Sequence, residues 1–99
     1  MPSFVYVLQS ERNGRYYTGF SSDPEARLED HNAGKVVATR YLRPWMLVYR
    51  ESCADATAAR KREYQIKAMK SRVYLESLIA GRLEPTDLPD ASGRSSQLS

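Results

Sequence analysis

The chain has 99 residues, of which 41% are hydrophobic and 27% charged, and its formal net charge is +3. This balance predicts one globular domain whose mildly basic surface suits a polyanionic partner. The single cysteine excludes an internal disulfide. No stretch approaches the roughly 20 apolar residues of a membrane-spanning helix, and the first ten residues lack the basic start of a signal peptide. We therefore expect a soluble, cytoplasmic protein without a membrane partner.

The first twenty residues are predicted to form a β-hairpin. Residues 4–8 (FVYVL) and 16–20 (YYTGF) are rich in strand formers, and Asn13-Gly14 between them is a strong turn signal. A two-residue turn there pairs even positions of the first strand with odd positions of the second. One face would then carry Phe4, Tyr6, Leu8, Tyr17 and Gly19. A glycine among strand formers indicates that something approaches the backbone closely at Gly19.

The next segment predicts a helix, a loop and a further strand. Ser22 or Asp23 can cap a helix of about ten residues that begins at Pro24 and ends before Gly34. Residues 36–44 are predicted to be a loop with Arg40 and Arg43 exposed. The apolar run 45–49 (WMLVY) predicts a central strand that is covered on both faces.

The last third predicts two helices and a tail. Residues 54–71 are rich in alanine and long side chains, with Asp55 as a possible cap, and a shorter helix is expected from about Val73 to Ala80, ended by Gly81. Beyond Leu83 the composition shifts to Pro, Asp, Ser and Gly. We therefore predict a folded domain over residues 1–83 and a disordered tail over 84–99.

Few residues carry chemistry by their type and position alone. Arg27 and His31 are four apart on the first helix, a spacing that by itself favours a solvated charged face. Glu63 lies at the edge of an apolar arc formed by Ala59, Ile66 and Val73 in a helical projection. A carboxylate in that place is explained either by a metal ion or by an ion pair, for example with Arg60 or Lys67.

Other motifs are missing, and this removes whole reaction classes. The sequence has no His/Cys metal cluster, no P-loop and no G-x-S-x-G. These absences argue against a zinc enzyme, a nucleotide triphosphatase and a serine hydrolase.

Four short motifs, taken together, resemble the GIY-YIG nuclease family. FVY (4–6) and YTG (17–19) stand where that family has its two three-residue motifs, and RLEDHNAG (27–34) resembles its arginine helix with a downstream histidine. ATAARKREYQIK (56–67) resembles the segment that carries its glutamate. The order and spacing run from about residue 4 to 80, and the relatives indicated are small bacterial proteins and the catalytic part of structure-specific repair nucleases. One departure is that Asn13 and Asn32 are the only asparagines, whereas many relatives carry one after the glutamate helix.

The resemblance implies a fold and a reaction. The fold is of the α+β class, a three-stranded antiparallel sheet flanked by helices in the order β-β-α-β-α-α. The reaction is hydrolysis of DNA with one Mg²⁺ or Mn²⁺ ion, which Glu63 would ligate. Arg27 would hold the phosphate, and Tyr17, supported by Tyr6, would orient or deprotonate the attacking water, with His31 as the rival base. Gly19 would leave room for the phosphodiester beside the tyrosines.

The resemblance also sets expectations for the partners. The predicted nucleic-acid contacts are Gly19, Arg27, Lys35, Arg40, Arg43, Lys67 and Lys70. Since no second DNA-binding domain is evident, we expect little sequence specificity on branched, nicked or single-stranded DNA, or targeting by a protein partner, in repair or processing. The alternative is a nucleic-acid-binding or partner-binding module with the same fold and weak or no catalysis.

Overall fold

A computed structural model describes residues 2–81, so the predicted boundary at residue 83 and the predicted disordered tail of residues 84–99 lie outside the described residues. The elements are β1 (Ser3–Ser10), β2 (Tyr16–Ser21), α1 (Pro24–Asn32), β3 (Trp45–Cys53), α2 (Ala56–Met69) and α3 (Arg72–Ile79), with a 3-10 turn at Arg40–Leu42 before β3. This confirms the predicted α+β fold and its element order. No helix within residues 2–81 is long and apolar enough to cross a membrane.

The three strands form one antiparallel sheet in the order β2-β1-β3. The prediction that residues 45–49 form the central strand was therefore wrong, because β1 is central and β3 is an edge strand. In β1 every residue of the run 5–8 is buried, whereas in β3 only Trp45 is. A bulge between Val7 and Leu8 of the β1–β3 ladder leaves Val48 without a direct partner, as is common at sheet edges. Both runs are equally apolar, so composition alone could not rank them.

The hairpin between β1 and β2 has the predicted faces but a longer turn. Tyr6 pairs with Gly19 and Leu8 with Tyr17. The turn is a four-residue loop over residues 11–14, closed by the Ser10 amide donating to the Arg15 carbonyl at 2.8 Å. The register is displaced by two residues from that of a two-residue turn, and an even displacement leaves every side chain on the same face.

The helices cover the two faces of the sheet around separate cores. One core joins Tyr6, Leu8 and Trp45 with Leu28 of α1 packed against them. The other is built mainly from β1, α2 and α3, and its buried members are Val5, Ala59, Ile66, Tyr74 and Leu78. Each strand of the sheet can therefore present alternate side chains to two different environments.

The helix ends follow the predicted capping. The Asp23 carboxylate accepts from the Ala26 amide at 3.2 Å, and Asp55 accepts from Ala58 at 2.9 Å. Helix α2 stops at Lys70, whose φ of 49° is left-handed, and α3 starts directly afterwards. Val73 thus belongs to α3 and is 73% exposed, so its predicted place in the apolar arc beside Glu63 was wrong.

A buried ion pair fixes α2 against β3. Arg62 Nε lies 2.6 Å from a Glu51 carboxylate oxygen, and both side chains are less than a tenth exposed. The Tyr49 hydroxyl donates to the same carboxylate at 2.5 Å. Because Arg62 is held inward, the rotation of α2 about its axis is fixed, and with it the direction in which the next residue, Glu63, projects.

Candidate active site

A chain of hydrogen bonds joins three buried side chains from three parts of the fold. Tyr6 of β1 places its hydroxyl oxygen 3.0 Å from His31 Nε2, and His31 Nδ1 lies 2.7 Å from the Thr39 hydroxyl oxygen. His31 is 0% exposed, and Tyr6 and Thr39 are each 1% exposed. The spacing of Arg27 and His31 favoured a solvated charged face on the first helix, and for His31 that expectation was wrong.

The surroundings assign the protons in this chain. The Thr39 hydroxyl can donate to the Val36 carbonyl at 3.4 Å, so it accepts from His31 Nδ1–H, and Nε2 is left to accept from Tyr6. Burial, reinforced by the Arg27 charge, lowers the pKa of His31, although Asp30 opposes this. Burial raises the pKa of Tyr6 to about 12. Both groups are therefore neutral near pH 7, with Tyr6 donating to His31.

Tyr17 is the tyrosine of the pair that meets solvent. Its ring packs edge-on against His31, with centroids 5.0 Å apart, and against Trp45 at 6.4 Å. Tyr17 is half-buried, whereas Tyr6 and His31 are enclosed. Both His31 nitrogens are engaged, so of the two rival bases Tyr17 is the one with direct access to a water molecule.

Gly19 lies beneath the Tyr6 phenol. A Cβ at Gly19 would be 2.7 Å from the Tyr6 hydroxyl oxygen and 2.8 Å from Cζ, distances that real Cβ atoms do not tolerate. The expected close approach at Gly19 is confirmed, but the approaching group is a side chain of this protein. The explanation that the space accommodates a phosphodiester was wrong.

Arg27 of α1 and Glu63 of α2 lie near the tyrosines of β1 and β2. Both bias the pKa of Tyr6: after burial and the neighbouring Tyr17, Arg27 lowers it and Glu63 raises it. The Arg27 side chain is 42% exposed and lies 3.5 Å from Asp30. Glu63 is 18% exposed and pairs with Lys67 at 3.1 Å, one of the ion pairs that the sequence left open. The structure thus brings Tyr6, Tyr17, Arg27, His31 and Glu63 into one neighbourhood.

The predicted basic contacts separate into two groups. Arg40 and Arg43 line a groove of about 400 Å³ with Arg12 and Tyr41; Arg43 is exposed as expected, but Arg40 is half-buried. Lys35 is exposed and pairs with Asp30 at 3.7 Å. Lys67 and Lys70 lie instead beside Tyr17.

Two grooves adjoin the five residues Tyr6, Tyr17, Arg27, His31 and Glu63, which we name the tyrosine cluster. The first, which we name the β2 groove, has a volume of about 390 Å³ and runs between β2 and the α2–α3 junction; its polar lining includes Arg15, Tyr16, Tyr17, Lys67, Lys70 and Arg72. The second, of about 810 Å³, follows α2 and includes Glu63 and Lys67. The cluster therefore opens onto surfaces that can hold an extended ligand.

Sequence reasoning missed several residues that build this site. Thr39 fixes the His31 ring from a predicted loop, where a threonine gives no signal. Trp45 donates its indole N–H to the Thr39 carbonyl at 2.9 Å and so holds that loop. Arg62 carried a usable signal, since an arginine four residues before Ile66 lies on the buried face of α2 and needs an acidic partner.

The chain shares its catalytic-domain pattern with a known protein family. A family model described as the GIY-YIG catalytic domain matches residues 2–74. This protein therefore belongs to the GIY-YIG family, and membership indicates nuclease chemistry in general.

More particular similarities are to bacterial UPF0213 proteins. The UPF0213 protein of Desulfotalea psychrophila is 46% identical over 68 residues, which are 67% of this chain and 61% of that protein. The one from Staphylococcus haemolyticus is 37% identical over 76 residues, 76% of this chain and 92% of that protein. The solution NMR structure of the Bacillus halodurans UPF0213 protein has a TM-score of 0.52 and 30% identity, and the match covers 83% of this chain and 86% of that one.

Proposed function

We propose that this protein is a divalent-metal-dependent endonuclease that hydrolyses DNA phosphodiester bonds with little dependence on base sequence. One observation carries the proposal: β1, β2, α1 and α2 bring two tyrosines, a histidine, an arginine and a glutamate into one electrostatic neighbourhood. Those residue types supply a water-positioning hydroxyl, a phosphate-binding cation and an oxygen ligand for a metal. The proposal sets the activity in the cytoplasm, in DNA repair or processing.

The residues present fit a lightly held metal ion. Within residues 2–81 no group of three or more His, Cys, Asp or Glu side chains could form a complete protein cage. Mg²⁺ is commonly held by one or two carboxylates, with waters and substrate phosphates as the other ligands. Glu63 would be that carboxylate, and Mg²⁺ or Mn²⁺ bound there would stabilise negative charge on the leaving oxygen.

The chain's own groups would carry the remaining steps. The half-exposed Arg27 guanidinium would bind non-bridging phosphate oxygens with its forked donors. The Tyr17 hydroxyl would hold the attacking water, whose oxygen bonds to phosphorus as the bond to the leaving oxygen breaks. The Tyr17 oxygen would take a proton from that water and pass its own hydroxyl proton to solvent, and the leaving oxygen would be protonated from solvent. Tyr6 and His31 would act indirectly, since their hydrogen bond fixes the imidazole ring of His31, against which Tyr17 packs.

A test of Tyr17 separates the two candidate bases. Tyr17→Phe keeps the ring but removes the hydroxyl, so cleavage should fall by the roughly 10²–10⁴-fold that is typical for loss of a general acid or base, with little change in melting temperature. His31→Gln provides the comparison, because that change should also lower the melting temperature. If Tyr17→Phe cleaves like the wild type, the base is not Tyr17.

A second candidate function is a DNA-binding module without catalysis, and the Glu63–Lys67 ion pair favours it, since a paired carboxylate needs no metal. Glu63→Gln decides between the two. In an enzyme, metal-dependent cleavage of nicked, branched and single-stranded DNA should disappear while binding persists. Glu11→Gln, in the exposed hairpin loop, is the matched control for loss of one negative charge. Unchanged cleavage by folded Glu63→Gln protein would end the proposed mechanism.

A further inference from the structure

The β2 groove is cationic and lies immediately beside Tyr17. Arg15, Lys67, Lys70 and Arg72 line it, and among residues 2–81 no acidic side chain does. Tyr17 belongs both to the groove and to the tyrosine cluster, and Lys67 Nζ lies 5.7 Å from the centre of its ring, so the groove leads directly into the candidate active site.

The balance of charge shows which cations are available. Lys67 pairs with Glu63 and Arg72 with Glu76. Arg15 and Lys70 have no acidic partner within 4.0 Å among residues 2–81, and both are exposed. Two unneutralised cations facing one narrow groove favour an anionic occupant.

Lys70 has an unusual backbone. Its φ of 49° makes it the only non-glycine residue with a positive φ in the described part of the chain. The left-handed conformation is unfavourable for an L-residue, and glycine is the usual residue at this place after a helix. A lysine here is therefore unfavourable for the fold, and strained positions of this kind often have a function.

The groove also has an aromatic wall. Tyr16 of β2 lies next to Tyr17 in the chain, and the Arg72 guanidinium stacks on its ring, 4.7 Å from the centroid. Arg72 is in turn held by Glu76 at 2.9 Å. This stack gives the groove a planar wall beside the two unpaired cations Arg15 and Lys70, which suits a nucleic-acid strand.

We propose that the β2 groove is a second phosphate-binding site, which holds the DNA backbone on one side of the bond that the tyrosine cluster cleaves. Arg15 and Lys70 bind its phosphates, and Lys67 and Arg72 support them. The proposal rests on the nuclease function proposed above, and it adds Arg15 and Arg72 to the expected contacts Lys67 and Lys70 and assigns all four to one site. It predicts that the protein grips its substrate on one flank more strongly than on the other.

The test is the salt dependence of DNA binding, measured by fluorescence anisotropy in EDTA so that no cleavage intervenes. Each phosphate contact contributes about 0.7 to 0.9 to the slope of log K against log salt, so Arg15→Gln with Lys70→Gly should make the slope shallower by about 1.4 to 1.8. The control, Arg12→Gln with Arg50→Gln, removes equal charge from exposed positions that line neither the β2 groove nor the groove along α2 and should change the slope much less.

The Lys70→Gly change separates binding from folding. Glycine removes the charge and relieves the left-handed strain, so the variant should melt at or above the wild-type temperature while it binds DNA more weakly. Weaker binding together with a lower melting temperature would overturn the assignment of Lys70. Equal slopes for the groove and control variants would overturn the whole proposal, since only net charge would then matter.

Two further outcomes locate the site and distinguish the proposals. Shortening the DNA on one side of the cleavage position should weaken binding by wild type but not by the groove variant; equal sensitivity in both proteins would overturn the assignment. If no DNA is cleaved but the slopes differ as expected, the nuclease function fails and the groove stands. If cleavage is metal-dependent but the slopes are equal, the groove fails and the nuclease function stands.

Discussion

Replacing Gly19 with alanine tests the packing at the centre of the site. The added methyl would lie 2.7 Å from the Tyr6 hydroxyl oxygen, so the phenol must move by about 0.7 Å to reach an ordinary contact of 3.4 Å. Tyr6 is 1% exposed and its hydroxyl is held 3.0 Å from His31. The phenol therefore has no free space, and its hydrogen bond must lengthen or bend as the ring is displaced.

The expected cost follows from two contributions. Overpacking a well-filled site costs about 1–3 kcal/mol, and a lost buried hydrogen bond about 0.5–1.5 kcal/mol. A combined loss of about 1.5–4.5 kcal/mol lowers the melting temperature of a domain of this size by at least roughly 6 °C, at about 4–8 °C per kcal/mol. Thermal unfolding followed by circular dichroism measures this shift directly.

A double-mutant cycle gives the control. In a Tyr6→Leu background the ring that the methyl would strike is gone, so Gly19→Ala should cost much less than it does alone. Additive costs would show that the two residues do not compete for this space. A Gly19→Ala protein that melts at the wild-type temperature would refute the packing argument.

Two further predictions concern buried charge. His31 is the only histidine, and burial, with the Arg27 charge, lowers its pKa. Below pH about 6.5 the unfolded chain therefore binds a proton at His31 that the folded protein does not bind. The free energy of unfolding should fall by up to about 1.4 kcal/mol per pH unit as the pH drops towards the folded pKa. Urea unfolding across that range should show this slope in the wild type but not in His31→Gln, and equal slopes would contradict it. Arg62→Ala leaves Glu51 buried without its cation, so the free energy of unfolding in urea should fall by about 3–5 kcal/mol. Adding Glu51→Gln should recover part of that loss. A loss as small as that of the exposed control Arg60→Ala would show that the ion pair contributes little.

Local chemistry made much of the fold predictable. Asp23, Pro24 and Gly34 bound α1 as expected, because a cap, a first-turn proline and a left-handed glycine act within a few residues of one another. The faces of the hairpin were predictable because side chains alternate with a period of two, which survives a change of turn length.

The rest depended on contacts between distant segments. Pairing across the sheet makes β1 rather than β3 the central strand. The composition of either strand does not indicate this pairing. The helical projection that placed Val73 in one apolar arc with Ala59 and Ile66 continues a single helix past Lys70, where the chain turns, and Val73 is instead exposed on α3. The burial of His31 depends on Thr39, which hydrogen-bonds its ring, and on Trp45, which holds the loop through the Thr39 carbonyl.

The position of β1 has a consequence for the order in which the molecule folds. Its pairing with β2 is local and can form as a hairpin within microseconds. Its pairing with β3 joins Ser3 to Cys53, and closing so long a loop is entropically costly and slow. We therefore expect Tyr6 and Tyr17 to become neighbours before the pocket around His31 closes with the docking of β3. Trp45, the only tryptophan, sits at the start of β3 and gives this late step its own fluorescence signal.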